Sequence, residues 1–152
     1  MIRRLDGGFE LDDDRSRVDV DAVHRFLFTE AYWAIGRPRE TVERLVREST
    51  RVIGLYTPDG FQAGFCRVVS DGLAIAYLAD VYVHPDFRGR GLGAALLREA
   101  VVDGPQANVR WVLHTDDPAF YEPFGFGPPG ERLMERAGRR TEPGAPAPNA
   151  RP

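Results

Sequence analysis

Two stretches in the first third of the chain repeat apolar residues at the spacing of a helix. Residues 20–32 carry the first set at intervals of three and four positions, with Asp19 or Asp21 available as an N-terminal cap. The apolar positions are Val20, Val23, Phe26, Leu27 and Ala31. A second helix follows a short aromatic loop and begins near Pro38. Its apolar face consists of Val42, Leu45 and Val46.

The middle of the chain changes to the patterns of strands. Residues 51–56 and 61–69 are rich in β-prone side chains and are separated by the turn sequence TPDG at 57–60, so they predict an antiparallel hairpin. Residues 73–83 form an almost continuous apolar run, which is typical of a strand covered on both faces.

Helix and strand patterns alternate in the remainder. Residues 91–102 predict a helix, residues 109–115 a strand, and residues 117–124 a short helix or turn. A short strand is expected within residues 9–14, and the stretch up to Met134 is a candidate for a last strand.

This order of elements predicts an α/β domain with a mixed sheet. The connection from the strand ending at Val83 to the strand near Val109 should be a right-handed crossover between parallel strands. We expect one domain over residues 1–136. The tail, residues 137–152, is rich in Pro, Ala and Gly without a large apolar anchor, and we expect it to be disordered.

Composition narrows the possible partners. The chain carries 20 Lys and Arg against 23 Asp and Glu, a net charge of -3, which disfavours nucleic acid and anionic membrane surfaces as partners. The single cysteine, Cys66, excludes an internal disulfide and a cysteine-based zinc cluster, and we expect its thiol to be buried and inert. No stretch has the length of a membrane span and no signal peptide is recognisable, so a cytoplasmic protein is expected.

The clearest chemical signal is a glycine loop, residues 88–94, between the strand 73–83 and the helix 91–102. Backbone amides at the start of a helix lack intrahelical acceptors, and glycines allow a ligand to approach them closely. Arg88 and Arg90 add guanidinium donors suited to phosphate. The loop therefore predicts a phosphate site, with a tight strand-to-helix turn as the simpler alternative.

The same loop also matches a loose dinucleotide pattern. Gly89, Gly91 and Ala94 satisfy GxGxx(G/A), but the intervening residues 84–88 and the lack of an acidic residue near position 109 argue against it. A Walker loop is excluded because no Gly-Lys-Ser/Thr follows.

Two motifs resemble those of the GNAT (Gcn5-related) N-acetyltransferases. Arg88, Gly91 and Gly93 fit the acetyl-coenzyme A motif R/Q-x-x-G-x-G/A, preceded by Val-His-Pro at 83–85. The segment FYEPFGF at 120–126 resembles the second signature of that family. The resemblance covers about residues 5–135 and implies a mixed, mostly antiparallel sheet with a splayed parallel strand pair and helices on both faces.

The resemblance also implies how acetyl-CoA is held, with no metal required. The pyrophosphate would lie on the amides from Gly89 to Ala94, and the pantetheine arm would pair with the strand around Val81 to Val83. The implied cofactor-binding residues are Val81, Tyr82, Val83, Arg88, Gly89, Arg90, Gly91, Leu92, Gly93 and Ala94.

Acetyl transfer to an amine requires a base and an acid. By the resemblance, Tyr121 is the candidate acid that protonates the coenzyme A sulfur, with a tyrosine of the core as the alternative. Asp80 is the first candidate for the base, acting through a water, because a carboxylate in a covered strand is costly without a role or a partner. A structural salt bridge or a contact with the substrate ammonium are its alternatives. His24, His84 and His114 are further candidates.

The resemblance also implies that the acceptor pocket lies beside the first helix. His24, Phe28, Tyr32 and Trp33 are candidates to bind the substrate, since aromatic rings can surround a cationic amine. Packing of these rings between the helices and the sheet is the alternative.

Together these residues predict an enzyme that transfers acetyl from acetyl-CoA to a primary amine of a small molecule or peptide, by direct attack in a ternary complex. A non-catalytic acyl-CoA sensor is the alternative, and a nucleotide-dependent oxidoreductase is a third hypothesis. A homodimer is one expected oligomeric state, because dimers are frequent in the resembling family.

Overall fold

The structure is a computed structural model that describes residues 1–31, 34–136 and 138. Six strands are present in these residues: β1 (Ile2–Arg4), β2 (Glu10–Asp12), β3 (Arg51–Tyr56), β4 (Gln62–Ser70), β5 (Ile75–Val83) and β6 (Arg110–Val112). Four α-helices accompany them: α1 (Val20–Thr29), α2 (Arg39–Glu48), α3 (Leu92–Val101) and α4 (Pro118–Tyr121).

All six strands form one sheet in chain order, β1-β2-β3-β4-β5-β6. The first four pairings are antiparallel, and β5 pairs with β6 in parallel. The predicted mixed sheet, the hairpin β3-β4 and the parallel crossover through α3 are therefore confirmed.

Helices cover both faces of the sheet, as predicted. On one face α1 and α2 bury a core that includes Val23, Val46 and Tyr82. On the other face α3 buries Leu96 and Leu97 against the sheet. Since alternate residues of a strand point to opposite faces, β5 contributes to both cores.

The parallel pair β5-β6 is short. It joins Ile75 to Arg110, Ala76 to Trp111 and Tyr77 to Val112. Strand β6 ends at Val112, whereas β5 continues to Val83. The two strands thus leave a gap in the sheet, which we define by residues 78–83 of β5 and the chain that follows Val112.

A bulge interrupts the pairing of β4 with β5 beside this gap. Phe65 pairs with Tyr82 and Arg67 with Ala79, so Cys66 faces two residues, Asp80 and Val81. Asp80 has φ 52°, a left-handed conformation that side-chain-bearing residues adopt infrequently.

Several predicted boundaries differ from the structure. Helix α1 ends at Thr29 rather than residue 32, and β6 covers three residues instead of 109–115. The last strand expected up to Met134 is absent from residues 113–136, where the sequence GPPG at 127–130 lacks the amide donors and side chains that a strand uses. Strand β1 was not predicted.

Other sequence predictions concern residues that are only partly described. Tyr32, Trp33 and nearly all of the tail 137–152 lie outside the described residues.

In the described part of the chain, no helix is both long and apolar enough to cross a membrane.

Candidate active site

The glycine loop connects β5 to α3 and leaves the start of that helix bare. Helix α3 has no side-chain cap, and its first backbone bond runs from the Ala95 amide to the Gly91 carbonyl at 3.0 Å. The amides of Leu92, Gly93 and Ala94 therefore have no intrahelical acceptor. Residues 88–91 are exposed, so an anion can reach these amides.

The three glycines of the loop serve different purposes. Gly89 and Gly91 have φ 76° and φ 74°, and a Cβ on either would meet no atom within 4 Å. Their backbone conformation, and not crowding by the protein, selects glycine there. A Cβ on Gly93 would instead lie 3.3 Å from the Phe120 ring, so this glycine lets α3 approach α4 closely.

The two arginines lie at the exposed edge of the loop. The Arg88 Nε donates to the Val83 carbonyl at 2.9 Å, which ties the loop to the end of β5. The Arg90 guanidinium lies 5.7 Å from the centre of the Phe87 ring. The two arginines precede α3 directly in the chain, so their positive charges favour an anion in this loop.

Part of the β5 backbone faces the gap and can form hydrogen bonds there. His84 donates its amide to the Ala63 carbonyl at 2.7 Å, on the side of β4. Successive residues of a strand direct their backbone amides to the neighbouring strands on its two sides. The amides of Val81 and Val83 therefore face the side from which β6 has separated. An extended arm can pair with this edge. Tyr82 faces the α1-α2 side, where its ring stacks on Phe26 at 4.0 Å.

Tyr121 ends α4 on the α3 side of the sheet. Its ring is half-buried and makes edge contacts with Phe120 and Phe126 at 5.0 and 6.0 Å. Burial raises the pKa of Tyr121, and the nearby Cys66 thiol and Asp117 carboxylate raise it further. Tyr121 is therefore protonated at neutral pH, as an acid must be.

Cys66 has the buried environment that its sequence context predicts. It is fully buried in the sheet, and burial raises the pKa of its thiol to about 12. A neutral buried thiol is a poor nucleophile, so Cys66 is structural.

Asp80 lies at the bulge and is ion-paired. It is 6% exposed, and its carboxylate accepts from the Arg67 Nε at 2.5 Å and from the Arg37 Nη1 at 3.3 and 3.4 Å. Arg67 comes from β4, and Arg37 from the loop before α2. The salt-bridge alternative considered from the sequence is thus the arrangement that the structure contains.

Of the four residues expected at the acceptor pocket, two are described. His24 and Phe28 lie on α1 with their rings 5.7 Å apart, and Phe28 is 50% exposed. Next to α1 there is instead a small cavity of about 160 Å³. Its lining includes Arg25, Phe26, Glu30, Tyr82 and His84, but neither His24 nor Phe28.

A chain of hydrogen bonds at the closed end of the gap was not predicted. The Tyr77 hydroxyl lies 2.6 Å from the His114 Nδ1, and the His114 Nε2 lies 2.9 Å from a Glu135 carboxylate oxygen. His114 was singled out from the sequence, whereas Tyr77 and Glu135 carry no local signal. The pairing of Tyr77 with Val112 brings Tyr77 to His114, and Glu135 reaches it from a segment without helix or strand. The described residues contain no group of three or more His, Cys, Asp or Glu able to hold a metal ion.

These features define a class: a mixed-sheet α/β protein whose candidate site lies between two separating parallel strands, beside a bare helix start. The Acetyltransferase (GNAT) domain profile matches residues 51–128, about half of the chain. A crystal structure from Xanthomonas campestris pv. campestris, assigned to the GNAT family, is 35% identical with a TM-score of 0.80, covering 86% of this chain and 93% of that one. The chain therefore belongs to the GNAT acetyltransferases.

Curated proteins similar in sequence to this chain are also named as N-acetyltransferases. A chloroplastic serotonin N-acetyltransferase 2 of Oryza sativa subsp. japonica is 31% identical over 128 residues, which cover 78% of this chain and 62% of the relative. An uncharacterised N-acetyltransferase of Porphyra purpurea is 30% identical over 98 residues, or 60% of this chain. The match spans 56% of the length of the Porphyra relative. A structure from Deinococcus radiodurans, 24% identical with a TM-score of 0.67 and covering 90% of this chain and 94% of that one, shares the fold.

Proposed function

We propose that this protein transfers an acetyl group from acetyl-CoA to a primary amine of a small molecule or peptide. The observation that carries the proposal is the bare start of α3 beside the free edge of β5. The amides of Leu92, Gly93 and Ala94, together with Arg88 and Arg90, would hold the pyrophosphate. The backbone of residues 81–83 would pair with the pantetheine arm.

The gap would place the thioester between the two faces of the sheet. Backbone amides at the bulge would stabilise the oxyanion that forms when the amine attacks the thioester carbonyl. In this direct attack the C–N bond forms and the C–S bond breaks within the ternary complex. Tyr121, on the α3 side, would give its proton to the departing sulfur and regain a proton from the amine nitrogen.

Asp80 would hold neighbouring groups of the site in place by its ion pairs and would not transfer a proton itself. Both of its oxygens are engaged by Arg67 and Arg37, so accepting a proton would weaken two ion pairs. We therefore assign to Asp80 the task of holding the two arginines and the bulge at the wall of the gap. The proton acceptor is then another group.

The acceptor amine would approach from the α1-α2 side. That side holds the small cavity beside Phe26 and Tyr82, and His24 and Phe28 lie on α1, the helix that supplies part of the cavity lining. The rice relative is named as a serotonin N-acetyltransferase, which supports arylalkylamines as acceptors to be tried first.

A thiol-release assay tests the proposal. The purified protein is incubated with acetyl-CoA and, separately, serotonin, spermidine, free amino acids or a lysine-containing peptide. We expect free coenzyme A to appear with at least one acceptor, together with the N-acetylated product by mass spectrometry. Acetyl-CoA binding without turnover on any acceptor would support a sensor, and binding of NAD in its place would support an oxidoreductase.

A further inference from the structure

Three side chains form a continuous hydrogen-bonded chain from the sheet to the surface. Tyr77 contributes its hydroxyl from β5, His114 follows β6, and Glu135 comes from the segment after α4. The distances are 2.6 Å from the Tyr77 hydroxyl to Nδ1 and 2.9 Å from Nε2 to Glu135. Both are within the range of good hydrogen bonds.

The partners of His114 determine its tautomer. An ionised Glu135 can only accept, so the His114 Nε2 must carry the hydrogen that joins them. In a neutral imidazole the other nitrogen then has a free lone pair, and Nδ1 accepts from the Tyr77 hydroxyl. The chain is therefore directed from Tyr77 through His114 to Glu135, which is the arrangement of a base oriented by a carboxylate.

The chain lies where a proton has to leave the site. Tyr77 is the last residue of β5 that pairs with β6, so it lies at the closed end of the gap. Its neighbours Ala76 and Leu78 belong to the core under α3, which places Tyr77 on the opposite face, the side of α1 and α2. Tyr77 is half-buried, whereas the side chains of His114 and Glu135 are 60% and 62% exposed. The chain thus leads from the gap to solvent.

Charged groups surround the inner end of this chain. Burial raises the pKa of the Tyr77 hydroxyl, the charge of Arg67 on β4 lowers it, and the charges of Asp80 on β5 and Glu135 raise it. Arg37 is ion-paired with Asp80 and so belongs to the same group of charges. The other histidines are placed differently. The His84 Nδ1 accepts from the Asp86 amide at 3.2 Å, and His24 lies against Phe28 on α1.

We propose that Tyr77, His114 and Glu135 form a proton relay that deprotonates the acceptor amine. The inference rests on the proposed acetyl transfer. The Tyr77 oxygen takes a proton from the ammonium group of the acceptor while the hydroxyl proton moves to the His114 Nδ1. Glu135 stabilises the resulting imidazolium, which passes this proton to solvent. The neutral amine then attacks, and its second proton reaches the sulfur by way of Tyr121, so one proton is released for each acetyl group transferred.

Variants of the relay test this proposal in the full chain. Tyr77→Phe and His114→Gln should each lower kcat with the best acceptor of the amine panel by about 10²-fold, the lower end of a general base contribution. Glu135→Gln should cause a smaller loss. Tyr56→Phe, at a buried hydroxyl on β3, and Glu131→Gln, at an exposed carboxylate, are the matched controls and should retain full activity.

The pH profile separates a relay from a structural role. In the wild-type protein the rate should fall at acidic pH because a protonated imidazole accepts no further proton. In His114→Gln that fall should be replaced by one that follows the ionisation of the acceptor amine itself. Acetyl-CoA affinity, measured by calorimetry, should be unchanged in all variants.

A second measurement does not depend on turnover. Imidazole ¹⁵N NMR of the wild-type protein should show His114 with its hydrogen on Nε2, and Tyr77→Phe should alter the Nδ1 resonance. An Nδ1-H tautomer, or full activity in both Tyr77→Phe and His114→Gln, would overturn the relay alone. Absence of thiol release by the wild-type protein with every acceptor would overturn the proposed function and the relay together.

Discussion

At the scale of single residues, the two tyrosines at the gap have complementary roles in the proposed transfer. Tyr121 packs on the α3 side of the sheet, and Tyr77 faces the α1-α2 side. In the proposed transfer, the proton donor for the sulfur and the proton acceptor for the amine would therefore lie on opposite faces of the sheet.

Replacing Tyr121 by Phe should lower kcat by about 10²-fold and leave the acetyl-CoA affinity intact, because only a proton donor is removed. Tyr56→Phe removes a buried hydroxyl elsewhere and serves as the control. Steady-state kinetics and calorimetry check both values. Wild-type kcat in Tyr121→Phe would remove the acid assignment.

The pH dependence expected of Tyr121 follows from its environment. Burial raises the pKa of Tyr121, so its acidic form persists to higher pH than in an exposed tyrosine. Loss of the acid therefore occurs only above about pH 10, the ordinary value for tyrosine. A fall in rate at lower alkaline pH that disappears in Tyr121→Phe would contradict this.

At the scale of elements, the ion pairs of Asp80 join β5 to β4 and to the loop before α2. Asp80→Asn preserves the shape and tolerates a left-handed backbone, but it leaves Arg67 and Arg37 without this carboxylate. We expect a loss of about 3 kcal/mol in unfolding free energy, a fall in Tm of roughly 10 °C. Asp116→Asn, at an exposed carboxylate, should leave Tm unchanged. An unaltered Tm in Asp80→Asn would show that these ion pairs contribute little.

The elements differ in how far the sequence predicts them. Helices α1 to α3 and the β3-β4 hairpin have strong local periodicity or turn chemistry, and the glycine loop carries its signal within seven residues. Strand β1 has three exposed residues and no alternation, so nothing local marks it. The bulge at Asp80 and the contact of Tyr77 with His114 depend on strand register, which residues far apart in the chain determine together.

At the scale of the whole molecule, three parts of the fold would form the proposed site. In the proposed function the sheet supplies the free edge of β5, and α3 supplies the bare amides. The groups that would exchange protons are Tyr77 on β5, His114 after β6, Tyr121 at the end of α4, and Glu135 in the segment that follows α4. The chain carries a small net negative charge, so the attraction that we propose for the pyrophosphate of acetyl-CoA would come from the glycine loop itself.

The most direct test of pyrophosphate binding at the start of α3 is a calorimetric titration of acetyl-CoA into the wild-type protein, Gly91→Asp and Gly72→Asp. Gly91 and Gly72 have φ 74° and φ 77°, and a Cβ on either would meet no atom within 4 Å, so the two substitutions cause similar backbone strain. Only Gly91→Asp places bulk and negative charge at the start of α3. We expect measurable binding by the wild-type protein and by Gly72→Asp. In Gly91→Asp we expect an affinity at least about 100-fold weaker, because an anion then meets a like charge at its site. Equal affinity in Gly91→Asp and Gly72→Asp would contradict the claim that these amides hold the pyrophosphate.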